Sequence, residues 1–186
     1  EWNDQQLFIV NPISGPTFIN LDVSEIMGLE IEARWAPVPG WMIDASAGLL
    51  DSEVKDKGND PAGLVEEGHD LPFAPENSAT LAISRTAALG PGVLHVIVDG
   101  QYRSSSANSV FTQPTTDEYD SYKQLNMRVD YSFGEQQRYS VSAWGQNLTS
   151  EEHCEYELDL FAVTGVAFCL PNEGEVMYGV ELGMQF

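Results

Sequence analysis

The histidines and serines, the residues best suited to catalysis, are scattered along the chain. His69, His95 and His153 are far apart, and none lies in a spacing such as His-Glu-x-x-His that would hold a catalytic metal. Ser46 and the serine run at 104–106 lack the Gly-x-Ser-x-Gly setting of a nucleophile elbow. The sequence therefore predicts a protein that is not an enzyme and that has no resident cofactor or catalytic metal.

Acidic residues dominate the charge of the chain. Its 186 residues include 29 Asp and Glu against 8 Lys and Arg, which gives a net charge of −21. Nucleic-acid binding requires clustered cations that neutralise phosphates, so this composition argues against a nucleic-acid partner. An excess of carboxylates on this scale favours solvated loops or a cation-rich medium.

The two cysteines, Cys154 and Cys169, lie 15 positions apart in one segment with few strand signals. A disulfide between them would suit a protein in an oxidising compartment. The alternative is two unrelated thiols. Other features of the sequence indicate a location outside the cytoplasm, and we therefore expect the disulfide.

Charged side chains also recur at every second position within apolar segments. A period of two places such residues on one face of a β-strand and their apolar neighbours on the other. Two roles suit them: lining a polar interior, or pairing with one another across strands. The candidates are Glu30, Glu32, Arg34, Asp44, Asp99, Arg103, Arg128 and Asp130.

Eight segments with this alternation predict eight strands. Most are about ten residues or longer, whereas strands of soluble proteins are commonly about 5 or 6 residues and a tilted strand needs about 9 to 11 to cross a bilayer. No apolar run is long enough for a transmembrane helix. The predicted strands are 3–10, 21–36, 41–50, 77–87, 93–104, 122–133, 138–147 and 175–186.

The connections between these strands alternate between short and long. The short ones are 36–40, 88–92 and 134–137, and the long ones are 51–75, 105–121 and 148–174. Outer-membrane barrels have short periplasmic turns and long extracellular loops, and aromatic residues mark their membrane interfaces. Two long segments hold many of the carboxylates, the apolar columns carry almost no charge, and several aromatic residues flank the short turns. The pattern predicts an all-β, transmembrane antiparallel β-barrel.

Several motifs resemble those of one family, the TonB-dependent outer-membrane receptors. "GLEIEARWAPVPGWMIDASAGLLDSE" (28–53) resembles a hairpin in the C-terminal part of these receptors, and "LPFAPENSATLAI" (71–83) resembles the entry into their next strand. "QYRSSS" (101–106) resembles their Tyr-Arg-Ser strand end, and "VSAWGQNLTSEEH" (141–153) resembles the Asn-Leu-Thr motif before their last loop. This motif also matches a glycosylation sequon, but the resemblance favours a strand end. One departure is His153, followed by Cys154, where the family often has Tyr.

The resemblance implies a 22-stranded barrel whose lumen is filled by an N-terminal plug domain. About eight C-terminal strands are present here, so residues 1–186 are expected to need the remaining strands and the plug, on the same chain or a separate one. The family implies active uptake of a scarce nutrient, such as a ferric siderophore, cobalamin, haem or an oligosaccharide, driven by TonB through the plug. The polar candidates would then line the lumen or pair with each other and with the plug.

The last strand, "EVMYGVELGMQF", ends on an aromatic residue. Its apolar column includes Tyr178 and Phe186, and it resembles the signal by which the barrel-assembly machinery recognises outer-membrane proteins. The acidic loops of such a receptor suit calcium, since clustered carboxylates bind hard cations. Divalent bridging to lipopolysaccharide or simple solvation are the alternatives, because the loops show no fixed ligand spacing.

Two other functions fit the strand pattern. The first is a complete eight-stranded outer-membrane barrel with a structural or adhesive role. The second is a secreted β-sandwich binding module, which predicts a covered apolar face and solubility without detergent. The family motifs favour the receptor over both.

Overall fold

The structure is a computed structural model of the chain. It describes residues 1–11, 15–60, 63, 65–108, 110, 118–159, 167–172 and 174–185. None of the helical turns in these ranges is long or apolar enough to span a membrane. Within the described ranges the helical element is a short 3-10 turn, Glu135–Gln137.

Twelve strands are described. They are β1 Trp2–Asn11, β2 Gly15–Trp35, β3 Trp41–Asp56, β4 Asn77–Leu89, β5 Gly92–Arg103, β6 Ser106–Ala107, β7 Glu118–Tyr119, β8 Tyr122–Phe133, β9 Tyr139–Gln146, β10 His153–Asp159, β11 Ala167–Asn172 and β12 Met177–Met184. Eight of them form one sheet in the order β1-β2-β3-β4-β5-β8-β9-β12, and every pairing in it is antiparallel. These eight are the predicted strands, so the all-β prediction is confirmed.

The predicted bounds were wrong at the long-loop end of the sheet, defined as the end opposite the turns at 36–40, 90–91 and 134–138. There β2 begins at Gly15 instead of 21, and β3 continues to Asp56 instead of 50. The long connections also contain two small hairpins that alternation did not predict, β6–β7 and β10–β11. The extra strand residues are stabilised by pairing with neighbouring strands, which a single-strand pattern does not report.

The register divides the sheet into an apolar and a polar face. Directly opposed residues lie on the same face of a sheet, and the chain of partners Ala45, Leu81 and Gly100 continues to Leu125 on β8. The apolar face exposes large side chains, with Leu182 at 81% and Tyr178 at 82%. Its exposed members are Leu29, Ile31, Trp35, Trp41, Leu49, Leu81, Ile83, Leu89, Tyr102, Leu125, Met127, Tyr139, Val141, Tyr178, Val180, Leu182 and Met184.

An apolar face of this size is unusual on a soluble protein, which rarely exposes more than a few hundred Å² of contiguous apolar surface. A β-sandwich would cover the face with a second sheet. The exposure of these side chains in the described residues therefore argues against the sandwich and favours contact with lipid.

Aromatic rings gather at the short-turn end of the apolar face. The Tyr131 and Phe133 ring centroids are 5.5 Å apart, those of Phe133 and Tyr139 are 5.6 Å apart, and the Tyr131 hydroxyl donates to the carbonyl oxygen of Leu89 at 3.0 Å. Amphipathic rings of this kind suit the interface between lipid and water.

The apolar face also carries two cations, contrary to the nearly charge-free columns expected from the sequence. Arg85 lies opposite Trp41 at the short-turn end, where its guanidinium sits 5.1 Å from the Trp41 ring centroid and donates to the Pro39 carbonyl oxygen. Lys123 lies opposite Tyr102 near the long-loop end. Both positions are near the edges of the apolar belt, where long cationic side chains reach water.

A small hydrophobic core lies at the long-loop end. Leu21, Val54, Val65, Leu71 and Val110 are buried there. The core lies beside a register shift between β2 and β3, where Val23 opposes Asp56 and Ser24 opposes Val54, so that Lys55 of β3 has no opposed residue. Residues 65–74 are held against β3 by this core, so part of a long connection folds back over the sheet.

The strand-end motif at 147–149 forms a compact turn. Asn147 is buried with a φ of 51°, and its side-chain oxygen accepts bonds from the Glu151 amide at 3.0 Å and the Thr149 hydroxyl at 3.3 Å. Its side-chain nitrogen donates to the Glu151 carbonyl oxygen at 3.0 Å. Asparagine suits both this local bonding and the positive φ. The turn directs the chain from β9 to β10.

Replacing Asn147 with alanine should lower the free energy of unfolding by about 1–3 kcal/mol, because the change leaves partly buried backbone groups of Glu151 without their Asn147 partners. Asn147→Asp keeps the acceptor oxygen and should cost less. Denaturant unfolding of the intact protein in detergent micelles measures whether Asn147→Ala loses more stability than Asn147→Asp. Equal losses in both variants would contradict the role assigned to the acceptor.

Candidate substrate-facing surface

All eight polar candidates from the sequence lie on the polar face of the sheet. Asp44 opposes Arg34 and Ala82, and Ala82 opposes Asp99, so these three charged residues form one row across β2 to β5. Registers on the other strands place the remaining candidates on the same side: Glu30 opposite Gly48, Glu32 opposite Ser46, Arg103 opposite Ser78, Arg128 opposite Ile97 and Asp130 opposite His95. The sequence pattern thus identified one continuous polar surface.

Hydrogen bonds join neighbouring strands across this surface. Arg34 Nε donates to Asp44 Oδ1 at 2.5 Å, and Asn126 Nδ2 donates to Asp99 Oδ2 at 2.8 Å. Gln101 Nε2 donates to Gln124 Oε1 at 2.7 Å. Further links join the Ser46 and Thr80 hydroxyls at 2.7 Å and the Thr86 hydroxyl to His95 Nδ1 at 3.0 Å. Cross-strand pairs of this kind stabilise a sheet and fix its register.

The largest charged cluster joins β8, β9 and β12. Arg128 Nε donates to Asp130 Oδ1 at 2.9 Å, and Arg128 Nη2 donates to Glu181 Oε2 at 2.8 Å. The Ser142 hydroxyl donates to Asp130 Oδ1 at 2.5 Å. Arg128 therefore pairs with two carboxylates, one on its own strand β8 and one on β12.

The sequence analysis did not select Glu181 or Trp144 for this surface. Glu181 opposes Ser142, and Trp144 lies between Arg128 and Gly179 in the register. A Cβ at Gly179 would come within 2.7 Å of the Trp144 ring, so the glycine leaves room for the indole. The alternation of the last strand could have assigned Glu181 to the polar face. Trp144 could not be assigned in this way, because an aromatic residue is expected on the apolar face.

Arg103 differs from the other two arginines of the polar face. Its guanidinium carbon lies 5.0 Å from the Tyr122 ring centroid, and Tyr122 stacks on His153 at 3.9 Å with 7° between the ring planes. Within the described residues Arg103 Nε is buried without a hydrogen-bond partner, and Arg103 forms no ion pair. Only folding brings together this group, which we call the Arg103 stack.

A polar cavity of about 330 Å³ opens at the long-loop end. Histidine, carboxylate and serine side chains line it, and Ser104 there donates to the Ser105 carbonyl oxygen. The lining includes His69, Asp70, Glu76, Ser104, Ser105, Ser106 and Glu118. Among the residues with described positions, no three His, Cys, Asp or Glu side chains are placed to hold a metal. The calcium prediction remains untested, since parts of the acidic loops lie outside the described ranges.

One charged group on the long-loop extension of the apolar face has a shifted pKa. Lys55 pairs with Glu53, and its Nζ lies 3.6 Å from Glu25 Oε2. The hydrogen bond to Glu53 raises the pKa of Lys55 above its ordinary value. The extension of β2 and β3 thus carries charges on its outer side, as expected beyond a membrane belt.

A comparison with family models decides the classification of the sheet. The model described as TonB dependent receptor-like, beta-barrel matches residues 2–148. The chain belongs to this family. The family resemblance inferred from the motifs is therefore confirmed, and the open eight-stranded sheet is a section of a TonB-dependent receptor barrel.

Solved receptor structures share the fold. The ferric yersiniabactin uptake receptor FyuA from Yersinia pestis matches with a TM-score of 0.75 and 18% identity over 99% of this chain and 26% of that one. The siderophore receptor PiuA from Acinetobacter baumannii matches with a TM-score of 0.65 and 18% identity, covering 87% and 22% of the two chains. BauA, the ferric preacinetobactin receptor from the same species, gives 0.60 and 18%, covering 81% and 22%. A comparison with curated sequences finds no match.

The chain spans about a quarter of the length of these receptors. In the described residues β1 and β12 lie at opposite ends of the strand order and do not pair, so the eight strands do not close a barrel by themselves. Open strand edges are not tolerated in lipid, since each unpaired backbone group costs several kcal/mol. This arrangement disfavours a complete eight-stranded barrel.

Three of the four remaining predicted residues lie on β10, β11 and β12. Tyr178 is on the apolar face of β12 opposite Gly145, whereas Phe186 lies outside the described residues. Cys154 on β10 and Cys169 on β11 form a disulfide, with their Cα atoms 5.6 Å apart. The disulfide prediction is confirmed, and the bond ties together the hairpin that begins at His153.

Proposed function

We propose that the chain forms part of the wall of an outer-membrane transporter that takes up a ferric siderophore with energy delivered by TonB. The observation that supports this most directly is the two-faced sheet in a chain of the receptor family. Its apolar face suits lipid, and its opposite face carries a hydrogen-bonded polar surface. In this proposal the polar face lines the lumen and the long-loop end faces the outside of the cell.

The proposal assigns specific partners to the two faces and the two edges. The plug domain would contact the polar face, including Glu30 and Glu32, and would transmit the force from TonB. The remaining strands would pair with β1 and β12. Lipopolysaccharide and outer-membrane lipid would contact the apolar face, and the barrel-assembly machinery would recognise the last strand with Tyr178 and Phe186.

The proposed substrate class rests on the solved receptor structures that share the fold. FyuA and BauA are receptors for ferric yersiniabactin and ferric preacinetobactin, and PiuA is a siderophore receptor. At 18% identity these receptors show a shared fold and not a shared substrate. Cobalamin, haem and oligosaccharides are therefore the alternative substrates that the experiment must distinguish from a ferric siderophore.

The experiment is uptake of radiolabelled iron by iron-starved cells that express the intact receptor, compared with cells lacking its gene. We expect gene loss to abolish uptake of at least one ferric siderophore, and a protonophore to stop uptake in the parent cells. Uptake of labelled cobalamin by the same strains is the control. Iron uptake that is equal in both strains for every siderophore tested would refute the proposal, and loss of cobalamin uptake alone would replace the substrate class.

A further inference from the structure

The apolar face of the sheet carries a groove across β4, β5 and β8. It has a volume of about 410 Å³, and its lining includes Leu81, Val98, Gly100, Tyr102 and Leu125. From Val98 to Tyr102 the strand covers about 13 Å at ~3.3 Å per residue. A single acyl chain has a similar length, since the hydrocarbon core of a bilayer is two chains deep and about 30 Å thick. We call this feature the apolar groove.

Gly100 leaves a space in the apolar groove that its neighbours do not require. A glycine inside a strand lowers stability and often marks the close approach of a ligand or of another backbone. A Cβ at Gly100 would lie 3.5 Å from the Gln124 carbonyl oxygen and 3.7 Å from Leu125 Cδ1, which is ordinary contact, and the φ of Gly100 is not positive. At Gly179 and Gly145, by contrast, a Cβ would come within 2.7 and 2.8 Å of a neighbouring side chain. The missing side chain at Gly100 therefore makes room for a molecule from outside the chain.

A lysine lies at the long-loop end of the apolar groove. Lys123 is exposed, directly opposes Tyr102 in the register and lines the groove with it. It forms no ion pair with any residue that the structure describes. Arg85 on the same face is instead held by the Trp41 ring and the Pro39 carbonyl oxygen. A cation beside lipid is costly unless its charged end reaches water or an anion.

The turn after β9 forms the rim of the groove beside this lysine. Thr149 lines the groove, and its hydroxyl donates to the Lys123 carbonyl oxygen at 3.1 Å. The Leu148 amide donates to the Leu125 carbonyl oxygen at 2.8 Å. These two bonds hold the turn against β8, so a cation and a hydroxyl lie at one end of an apolar groove. An amphiphile with an acyl chain and an anionic head group matches this distribution of charge.

We infer that the apolar groove binds lipopolysaccharide, with one acyl chain of its lipid A along Gly100 and a lipid A phosphate on the Lys123 ammonium. The inference rests on the orientation in the proposed function, which places the long-loop end on the outer side, where lipopolysaccharide is the anionic lipid. It goes beyond general contact with lipid, because it assigns one chain and one phosphate to named residues. Lys123 supplies the charge and Gly100 the space, so two substitutions test the two parts of the site separately.

The test is native mass spectrometry of the intact receptor, released from detergent micelles after titration with lipid. The probes are bisphosphorylated lipid A, the same lipid A without its phosphates, and phosphatidylglycerol. Lys123→Gln should weaken binding of bisphosphorylated lipid A by about 5-fold, which corresponds to about 1 kcal/mol for a lysine at an anionic membrane surface. It should leave the affinity for the dephosphorylated form unchanged. Lys123→Arg should keep the affinity of the parent, because the charge is retained.

Gly100→Leu tests the acyl-chain part of the site. Its side chain should occupy the groove without a backbone clash, and it should weaken binding of both forms of lipid A alike, by several-fold. Arg85→Gln is the matched control, since Arg85 lies on the same face at the short-turn end and is already held by Trp41 and Pro39. It should change the affinity for any probe by no more than about 2-fold, as expected for a site distant from the ligand.

Equal affinity of Lys123→Gln and the parent for bisphosphorylated lipid A overturns the inference, and so does equal affinity of Gly100→Leu and the parent. Phosphatidylglycerol that binds as tightly as lipid A would assign the groove to a phospholipid and overturn the assignment to lipopolysaccharide. Iron uptake separates these results from the proposed function. Lipid A binding that depends on Lys123, in a receptor that takes up no siderophore, would refute the proposed function and leave the lipid site standing. Siderophore uptake by a receptor whose lipid A binding ignores Lys123 would do the reverse.

Discussion

Replacing Leu81 with arginine should lower the free energy of unfolding of the intact receptor in lipid vesicles by about 2–4 kcal/mol, the cost of a cation on the lipid face near the bilayer midplane. Leu81 is 47% exposed on the apolar face. Its strand neighbours in the register, Ala45 and Gly100, have no charge that could pair with a guanidinium. The measurement is urea unfolding followed by tryptophan fluorescence.

Ala82→Arg is the matched control, because it places the same side chain one residue along β4 and on the opposite face. Ala82 lies between Asp44 and Asp99 in the register. An arginine there is flanked by two carboxylates on a polar face, so its cost should be well below that of Leu81→Arg. Equal costs for the two variants would contradict the assignment of the lipid-facing side, and a larger cost for Ala82→Arg would reverse it.

The sequence predicted the eight main strands because each strand of the wall is solvated differently on its two faces. Lipid requires apolar side chains on one side, and a polar interior accepts charges on the other, so the period of two persists for ten residues or more. Arg128 and Asp130 could be assigned to one face for this reason. The strand order then follows because consecutive strands of the wall are antiparallel neighbours, across the short and the long connections alike.

The sequence could not predict features that arise from contacts distant along the chain. The β10–β11 hairpin is stabilised by a disulfide and by its own pairing, in a segment where acidic residues weaken the strand signal. The extension of β2 pairs with β3 across a register shift and places Leu21 in one buried cluster with Val54. The stack of Tyr122 on His153 joins residues from different strands, and no periodicity reports such a contact.

Charges on the apolar face are another feature that the alternation could not predict. Alternation alone would make Arg85 a misplaced residue on a lipid-facing column. Its neighbours explain it: the Trp41 ring faces the guanidinium, and the Pro39 carbonyl accepts its hydrogen bond beside the short turn. A cation is tolerated near the interface, where the cost of charge falls to about 0–1 kcal/mol. The depth of a residue in the membrane decides whether a cation is tolerated on the apolar face, and the sequence pattern does not encode this depth.

Replacing Leu21 with alanine should remove the anchor of the long-loop core and destabilise that region by about 2–5 kcal/mol, the usual cost of a large-to-small change at a buried site. Leu21 is 0% exposed and packs in the cluster that holds residues 65–74. Three hydrogen bonds also join that segment to β3. The Val54 amide donates to the His69 carbonyl oxygen at 2.9 Å, the Gly68 amide donates to that of Val54 at 2.8 Å, and the Leu71 amide donates to the Ser52 hydroxyl at 3.2 Å.

Because the core is local, its loss should open the segment without unfolding the wall. Amide hydrogen exchange of the intact receptor is the measurement, and exchange at 65–74 should accelerate by a factor set by the lost stability, roughly tenfold for each 1.4 kcal/mol. Leu29→Ala is the control, since Leu29 lies on the same strand but is 57% exposed on the apolar face, away from the cluster. It should leave exchange at 65–74 unchanged.

If Leu21→Ala accelerated exchange equally across β4 and β5, the core would be part of the global fold and 65–74 would not be an independently opening unit. If only 65–74 responds, the segment that covers the polar cavity at Gly68, His69 and Asp70 can open while the barrel wall stays intact.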